Sequence, residues 1–221
     1  MSPVNLYKSA LFPLLLILMP VSCKNQITST EDDNKVYGVV NINRIYDQQK
    51  RLISDSEFVI VQSLFQKNNL SLSNLQTYRL LTNHGWRYVR CYQYYHGLEL
   101  FTNDVVIIFD SLGIYSTTSG DLISSIPIDT IPGVKMKDAG ILFYDQIVSD
   151  PWYKDSLNSF RSRGFSAELG IYNLNAGTGD SQMRFVLTWK ITVTNRGDYP
   201  VGYVRADSQH LIYYSNGIVI G

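Results

Sequence analysis

The side chains best suited to chemistry are few in this chain of 221 residues, which has three histidines and two cysteines. A zinc peptidase needs His-Glu-x-x-His on one helix, so that two imidazoles bind the metal and the carboxylate acts as a base. None of His84, His96 and His210 begins such a motif, and no glycine-rich phosphate loop or Gly-x-Ser-x-Gly elbow occurs. We therefore expect no catalytic residue, no metal site and no cofactor, and predict that the chain is not an enzyme.

The N-terminal segment has the three parts of an export signal. Lys8 supplies positive charge, residues 11–19 form an apolar core, and the small residue Ser22 ends the segment. The apolar run is only about half as long as a helix that crosses a bilayer. We therefore interpret residues 1–22 as a signal peptide.

Lipidation is the chemistry that we predict for Cys23. The ending Val21-Ser22-Cys23 resembles a lipobox, in which a peptidase cuts before a cysteine that already carries lipid, although Pro20 replaces the usual aliphatic residue. An ordinary secretory signal and a Cys23–Cys91 disulfide are the alternatives. If Cys23 carries lipid, Cys91 is a lone thiol, which we expect to be a small buried hydrophobe on a strand.

Residues 23–35 are polar and lack periodicity, and we interpret them as a flexible tether to the membrane. The expected location is a bacterial cell envelope, at the outer membrane or the cell surface. Removing residues 1–22 takes away Lys8 alone, so 18 basic residues remain against 19 acidic ones and the net charge is −1. Such a balance is too neutral for a protein that binds nucleic acid by neutralising phosphates, so we expect no nucleic-acid partner.

Two rounds of helix followed by antiparallel strands are predicted after the tether. Ser54 and Glu57 form a capping box before an amphipathic helix that ends near Asn68, and a second helix is predicted over 137–148, with a restart at Asp150-Pro151. The predicted strands cover residues 77–82, 86–95, 98–110, 114–118, 165–174, 182–194, 199–206 and 211–214. This order predicts an α+β fold with helices packed on one face of each sheet.

The strand over 182–194 shows strict alternation, which predicts one buried and one exposed face. The predicted buried residues are Phe185, Leu187, Trp189, Ile191 and Val193, and those between them are Val186, Thr188, Lys190, Thr192 and Thr194. The tyrosine-rich strands either offer an aromatic binding surface or place their rings in the core. These tyrosines are Tyr92, Tyr94, Tyr95, Tyr199, Tyr203, Tyr213 and Tyr214.

The segment from Tyr88 to Gly120 resembles the fungalysin/thermolysin propeptide domain. The matching positions are Val89, Arg90, Gln93, Tyr95, Gly97, Phe101, Val105, Val106, Asp110, Gly113 and Gly120. Tyr88 and Glu99 stand where that family often has His and Pro. We expect these residues to have structural roles. The glycines allow turns or a close approach between backbone segments, and Arg90 and Gln93 are polar residues that interact across strands.

The stretch from Phe185 to Ile218 looks like the PepSY unit that follows in the same propeptides. The match is carried by Leu187-Thr188-Trp189-Lys190 and by Tyr203-Val204-x-Ala206. Together the two resemblances imply a pair of cystatin-like α+β subdomains, which we place at residues 36–131 and 132–221.

For function, the resemblance implies binding without catalysis. In thermolysin-like zymogens these units help the peptidase to fold and keep it inactive until they are removed. We therefore expect a non-catalytic protein that binds an exported metallopeptidase, or another envelope protein, in trans, as an inhibitor or folding helper. The alternatives are a structural or adhesive envelope lipoprotein without a peptidase partner, and a small-ligand site between the subdomains.

Overall fold

A computed structural model describes residues 38–42, 46, 51–179 and 182–218 of the chain. The predicted signal peptide, Cys23 and the tether lie outside the described residues. Within the described ranges, every helix is too short or too polar to cross a membrane.

The described residues form nine strands, three α-helices and one 3₁₀ segment. In chain order these are β1 Val39–Asn41, α1 Asp55–Lys67, β2 Leu75–Asn83, β3 Trp86–Tyr95, β4 Leu98–Phe109, β5 Tyr115–Ser119, α2 Met136–Ser149, the 3₁₀ segment Pro151–Ser156, α3 Leu157–Arg163, β6 Phe165–Asn173, β7 Phe185–Val193, β8 Val201–Arg205 and β9 Leu211–Ser215. Most predicted boundaries agree with these within three residues. The three-residue strand β1 was not predicted, because so short a segment shows no periodicity.

All nine strands belong to one mixed sheet, so the prediction of an α+β fold is confirmed. The strand order is β2-β3-β4-β6-β7-β8-β9, with β5 paired to β4 and β1 paired to β6. The pairs β4–β6 and β1–β6 are parallel, and the other pairs are antiparallel. The two predicted ranges, 36–131 and 132–221, are joined where Glu99 and Leu100 of β4 pair with Gly170 and Ile171 of β6. The boundary between them stays a prediction.

Each helical region packs on its own part of the sheet. One core cluster joins α1 to β2, β3 and β4 through Val61, Leu64, Phe65, Leu75, Val89, Cys91, Val105, Ile107 and Phe109. A larger cluster surrounds Phe143 and Ile147 of α2 and Trp189 of β7. A third, smaller cluster is formed by Leu100, Ile126 and Ile171, so the segment between β5 and α2 also covers the sheet.

The helix ends follow the predicted capping chemistry. The Ser54 hydroxyl accepts from the Glu57 N–H at 3.3 Å and the Ser54 N–H donates to the Glu57 carboxylate at 2.9 Å, which confirms the capping box. At the end of α2, the Asp150 carboxylate accepts from the Trp152 N–H at 3.0 Å and begins the 3₁₀ segment. Capping by side-chain oxygens satisfies N–H groups that have no partner within the helix.

One part of the predicted pattern in β7 is wrong. Val186 and Thr188 were expected on an exposed face, yet both are buried. Thr188 lies opposite Gly170 of β6, and the ring of Phe101 lies over that glycine. Side chains from neighbouring strands therefore cover part of the face that alternation alone predicts to be open.

Candidate binding surface

Four aromatic side chains form a continuous cluster on the side of the sheet away from α2. We call this cluster the aromatic face, and its members are Phe101 of β4, Tyr172 of β6, Tyr203 of β8 and Tyr213 of β9. These positions alternate along their strands with residues that pack under α2 or under the segment that precedes it. Phe101, Tyr172 and Tyr203 are partly exposed, and Tyr213 is the most exposed of the four.

Tyr203 is the centre of the aromatic face. Its ring centroid lies 5.0 Å from that of Tyr172, 5.7 Å from Phe101 and 6.0 Å from Tyr213. Tilted and edge-to-face pairs at these separations are favourable. The cluster is therefore held together by three ring contacts made by one residue.

Gly170 of β6 allows the Phe101 ring to lie against the sheet. A Cβ atom at Gly170 would come within 2.5 Å of Phe101 Cε2 and within 2.7 Å of the Glu99 carbonyl oxygen. Since both distances are shorter than carbon atoms tolerate, only glycine fits under this ring. The same glycine pairs with Glu99 where the two halves of the sheet meet.

Charged residues adjoin the aromatic face. Lys190 lies opposite Glu168 on one neighbouring strand and Tyr203 on the other, with its ammonium group 5.5 Å from the centre of the Phe101 ring. Glu168 and Glu99 are both buried. Burial raises the pKa of the Tyr203 phenol, and the neighbouring Tyr172, Glu99 and Glu168 raise it further. Tyr203 therefore keeps its hydroxyl proton to a higher pH than an exposed tyrosine does.

This arrangement suits binding. Partly exposed, well-packed tyrosine and phenylalanine rings are enriched at the centres of protein interfaces, because they bury a large area at a low cost in side-chain entropy. The tyrosines considered from sequence are distributed over different environments. Tyr203 and Tyr213 lie on the aromatic face, whereas Tyr94 is buried with its hydroxyl 3.0 Å from Gln76 Oε1, and Tyr214 donates to Asp150 at 3.0 Å.

A second polar and aromatic cluster lies on β2, β3 and β4. Arg90 forms an ion pair with Asp104, and the Tyr78 hydroxyl donates to the same carboxylate at 2.9 Å. The Tyr78 ring stacks on that of Tyr92 with 4.2 Å between centroids. Burial, followed by the hydrogen bond to Asp104 and the charge of that carboxylate, raises the pKa of Tyr78 to about 12.

The raised pKa of Tyr78 predicts a loss of stability at alkaline pH. The folded chain holds the phenol proton more tightly than the unfolded chain, whose tyrosines titrate near pH 10. The contribution of the Tyr78 phenol to the free energy of unfolding is therefore complete below about pH 10 and is lost as the pH rises toward about 12. As the pH rises across this range, the urea concentration at the midpoint of unfolding should fall less steeply for Tyr78→Phe than for the unsubstituted chain. Equal slopes would contradict the prediction.

Gln93, a position of the predicted motif, fastens the segment that follows β5 to the sheet. Its amide nitrogen donates to the Ile123 carbonyl at 2.6 Å, and its amide oxygen accepts from the Ile123 N–H at 3.2 Å and from Asn103 Nδ2 at 2.5 Å. Asn103 also donates to the Asp121 carbonyl at 2.7 Å. The side chain of Gln93 is buried, so these bonds satisfy groups that water does not reach.

The other motif positions lie in turns and in the core. Gly97, Gly113 and Gly120 have φ of 83°, 73° and 87°, and a side chain at Gly120 would collide with the Asp104 carbonyl oxygen. Asp110 accepts through one carboxylate oxygen from two N–H groups of the β4–β5 turn. Trp189 is buried and donates from Nε1 to the Val134 carbonyl at 3.0 Å. Arg90, Gln93, Gly97, Asp110, Gly113, Gly120 and Trp189 are thus distributed over the fold and do not converge on one site.

The histidines are also dispersed. His84 and His96 occupy hairpin turns with φ of 47° and 49°, and the His210 carbonyl accepts from the Arg205 N–H at 2.8 Å. Within the part of the chain that the structure describes, no three His, Cys, Asp or Glu side chains cluster as a metal site would require. Cys91 is fully buried on β3, as predicted, and burial raises its pKa to about 11.

Several residues of the aromatic face were missed as binding residues from sequence. Phe101 was considered only as part of a motif, and Tyr172, Gly170 and Lys190 were not considered as part of a binding surface. Alternation along β6 could have placed Tyr172 on the other face of the sheet from the buried Ile171. The neighbours of β6 could not be predicted in this way, because β4–β6 pairing joins segments about 70 residues apart in sequence.

Comparison with known proteins gives limited similarity. No protein-family model matches the chain, and no curated protein matches it. Among solved structures, the chain is similar to the YpeB C-terminal domain of Bacillus megaterium, with 15% sequence identity and a TM-score of 0.37. That similarity covers 77% of this chain and 68% of the other. The resemblance to propeptide units therefore depends on the motif residues themselves.

Proposed function

We propose that this chain is a non-catalytic exported lipoprotein of the bacterial envelope, which binds an exported metallopeptidase in trans through its aromatic face. The observation that carries the proposal is the cluster of Phe101, Tyr172, Tyr203 and Tyr213. Three ring contacts within the chain hold these side chains in place without a partner. An ordered aromatic surface loses little entropy on binding, which favours association with another protein.

The choice of a peptidase as partner follows from the motif residues. The matches around Arg90, Gln93 and Trp189 are those of units that act on peptidases by surface complementarity, and in this chain these side chains maintain the fold. Binding is the primary role, and inhibition or assistance in folding would be its consequence. The lipid on Cys23 would keep the protein at the membrane, whereas a propeptide is discarded.

Site-specific crosslinking in living cells tests this proposal. A photoreactive amino acid replaces Tyr213, whose side chain is 47% exposed on the aromatic face, and separately replaces Val148 of α2, which is 48% exposed. Because the two positions are equally accessible, random collisions should label both equally. We expect an adduct with an exported peptidase from position 213 and none from position 148.

Two outcomes would contradict the peptidase proposal. Equal adducts from both positions would show that the aromatic face has no special role. An adduct from position 213 with another envelope component would instead favour the structural or adhesive function, since the aromatic face would then bind a partner that is not a peptidase.

A further inference from the structure

Exposed apolar side chains gather at the adjoining ends of two hairpins. We call Leu81 and Trp86 of the β2–β3 hairpin, with Leu112 and Ile114 of the β4–β5 turn, the apolar tip. Their exposed fractions are 37%, 39%, 75% and 45%. The hairpin ends are in contact, because a Cβ atom on Gly85 would lie 3.1 Å from that of Ser111.

The β4–β5 turn combines three ordinary turn residues, Asp110, Ser111 and Gly113, with two large aliphatic ones. Turns of soluble domains favour Gly, Asn, Asp, Ser and Pro, which bond to the backbone or to water. Here Leu112 and Ile114 flank Gly113, and Leu112 is the most exposed of the large apolar residues that the structure describes. A large aliphatic side chain in this position costs solubility, which suggests that the turn meets an apolar environment.

The N–H groups of this turn are satisfied within the protein. One carboxylate oxygen of Asp110 accepts from Leu112 N at 2.9 Å and from Ile114 N at 2.8 Å, and the Asp110 carbonyl accepts from Gly113 N at 2.9 Å. The next N–H, of Tyr115, donates to Asn68 Oδ1 at 2.8 Å. Four consecutive N–H groups thus have partners that are not water.

The carbonyl groups are satisfied in the same way by residues at the end of α1. Lys67 Nζ donates to the Leu112 carbonyl at 2.7 Å, and Asn68 Nδ2 donates to the Gly113 carbonyl at 3.0 Å. The Ile114 carbonyl accepts from the Asp110 N–H at 2.9 Å. Such pairing lowers the cost of moving the turn out of water, because an unpaired backbone group in an apolar environment costs several kcal/mol, of order 2–7.

Positive charge lies beside the apolar tip. A Cβ atom on Gly113 would be 3.7 Å from Arg87 Nη1 and 3.9 Å from Lys67 Nζ, so two cations flank the turn, which contains one carboxylate, that of Asp110. Cations next to apolar and tryptophan side chains are the combination that binds a membrane with anionic head groups.

We propose that the apolar tip inserts into the interfacial layer of an anionic lipid membrane, with Arg87 and Lys67 at the level of the head groups. This goes beyond binding of a peptidase and uses only the membrane location in the proposed function. The lipid on Cys23 would bring the domain to the membrane, and the tip would orient it there, leaving the aromatic face as a separate surface for a protein.

Tryptophan quenching tests the insertion. The lipidated chain is purified from bacterial membranes and reconstituted into vesicles of phosphatidylcholine and phosphatidylglycerol, with bromine on the acyl chains. Of the three tryptophans, Trp86 and Trp152 are exposed and Trp189 is buried. Trp152→Phe leaves Trp86 as the exposed reporter, and Trp86→Phe leaves Trp152, so the two variants are matched controls.

We expect brominated lipid to quench and blue-shift the emission of Trp152→Phe and to leave that of Trp86→Phe unchanged. A second substitution, Leu112→Ser, should reduce the quenching in the Trp152→Phe background. Vesicle-bound protein in which Trp86 is not quenched, or in which both reporters are quenched equally, would overturn insertion of the tip while leaving the anchor intact. Protein that fails to float with vesicles would overturn the anchor and the insertion together. Peptidase binding is judged separately by the crosslinking.

Discussion

Replacing Trp189 with alanine should lower the free energy of unfolding by about 3–5 kcal/mol, the range for deletion of a large buried aromatic side chain. Trp189 is 2% exposed and lies in the main core cluster on β7, between Leu169 of β6 and Val204 of β8. Its indole N–H also donates to the Val134 carbonyl, two residues before α2, with 3.0 Å between the atoms. Alanine removes both the packing and the hydrogen bond.

The matched control is Trp189→Phe, which keeps most of the apolar volume but leaves the Val134 carbonyl without its donor. An unsatisfied buried acceptor costs about 1–3 kcal/mol, so this variant should lie between alanine and tryptophan. Guanidinium unfolding followed by circular dichroism measures both. Since domains of this kind have about 5–15 kcal/mol of stability in total, the alanine variant should lose a large fraction of it. A loss below about 1 kcal/mol would show that the core does not depend on this side chain.

Replacing Gly170 with alanine should cost about 3 kcal/mol, at the upper end of the range for overpacking. The added methyl group would overlap Cζ and Cε2 of the Phe101 ring and would lie 2.7 Å from the Glu99 carbonyl oxygen. The ring can rotate away, but the carbonyl belongs to the strand that pairs with β6, so the two halves of the sheet must separate locally.

Two further variants show where this cost arises. Phe101→Ala combined with Gly170→Ala should recover only part of the loss, because the clash with the Glu99 carbonyl persists. Gly133→Ala is the control, since its added Cβ would meet no atom closer than 3.7 Å and its stability should change by less than about 0.5 kcal/mol. A Gly170→Ala variant as stable as Gly133→Ala would contradict the close approach of β4 and β6.

The aromatic face links these stability predictions to the proposed function. Gly170 both joins the halves of the sheet and allows Phe101 to lie beside Tyr203. In Gly170→Ala the ring should be displaced, so crosslinking from position 213 should weaken even in the fraction of protein that remains folded.

Local features of the chain were predictable from sequence because they depend on neighbours within a few residues. The capping box at Ser54, the break at Asp150 and the hairpin turns around Gly85 and Gly97 arise from backbone groups and side chains close together in the chain. The predicted ends of β3, Trp86 and Tyr95, are the observed ones, since a hairpin turn bounds that strand on each side. These elements determined the α+β class.

The tertiary structure decided which strands are neighbours and therefore what lies on each face. Pairing of β4 with β6, and of β1 with β6, joins distant segments for which periodicity carries no information. The strand order across the whole sheet buries Thr188, brings together Phe101, Tyr172, Tyr203 and Tyr213 from four strands, and leaves no room for a Cβ atom at Gly170. Sequence by itself determined the elements and their inner faces, whereas the candidate binding surface exists only once the register across the whole sheet is set.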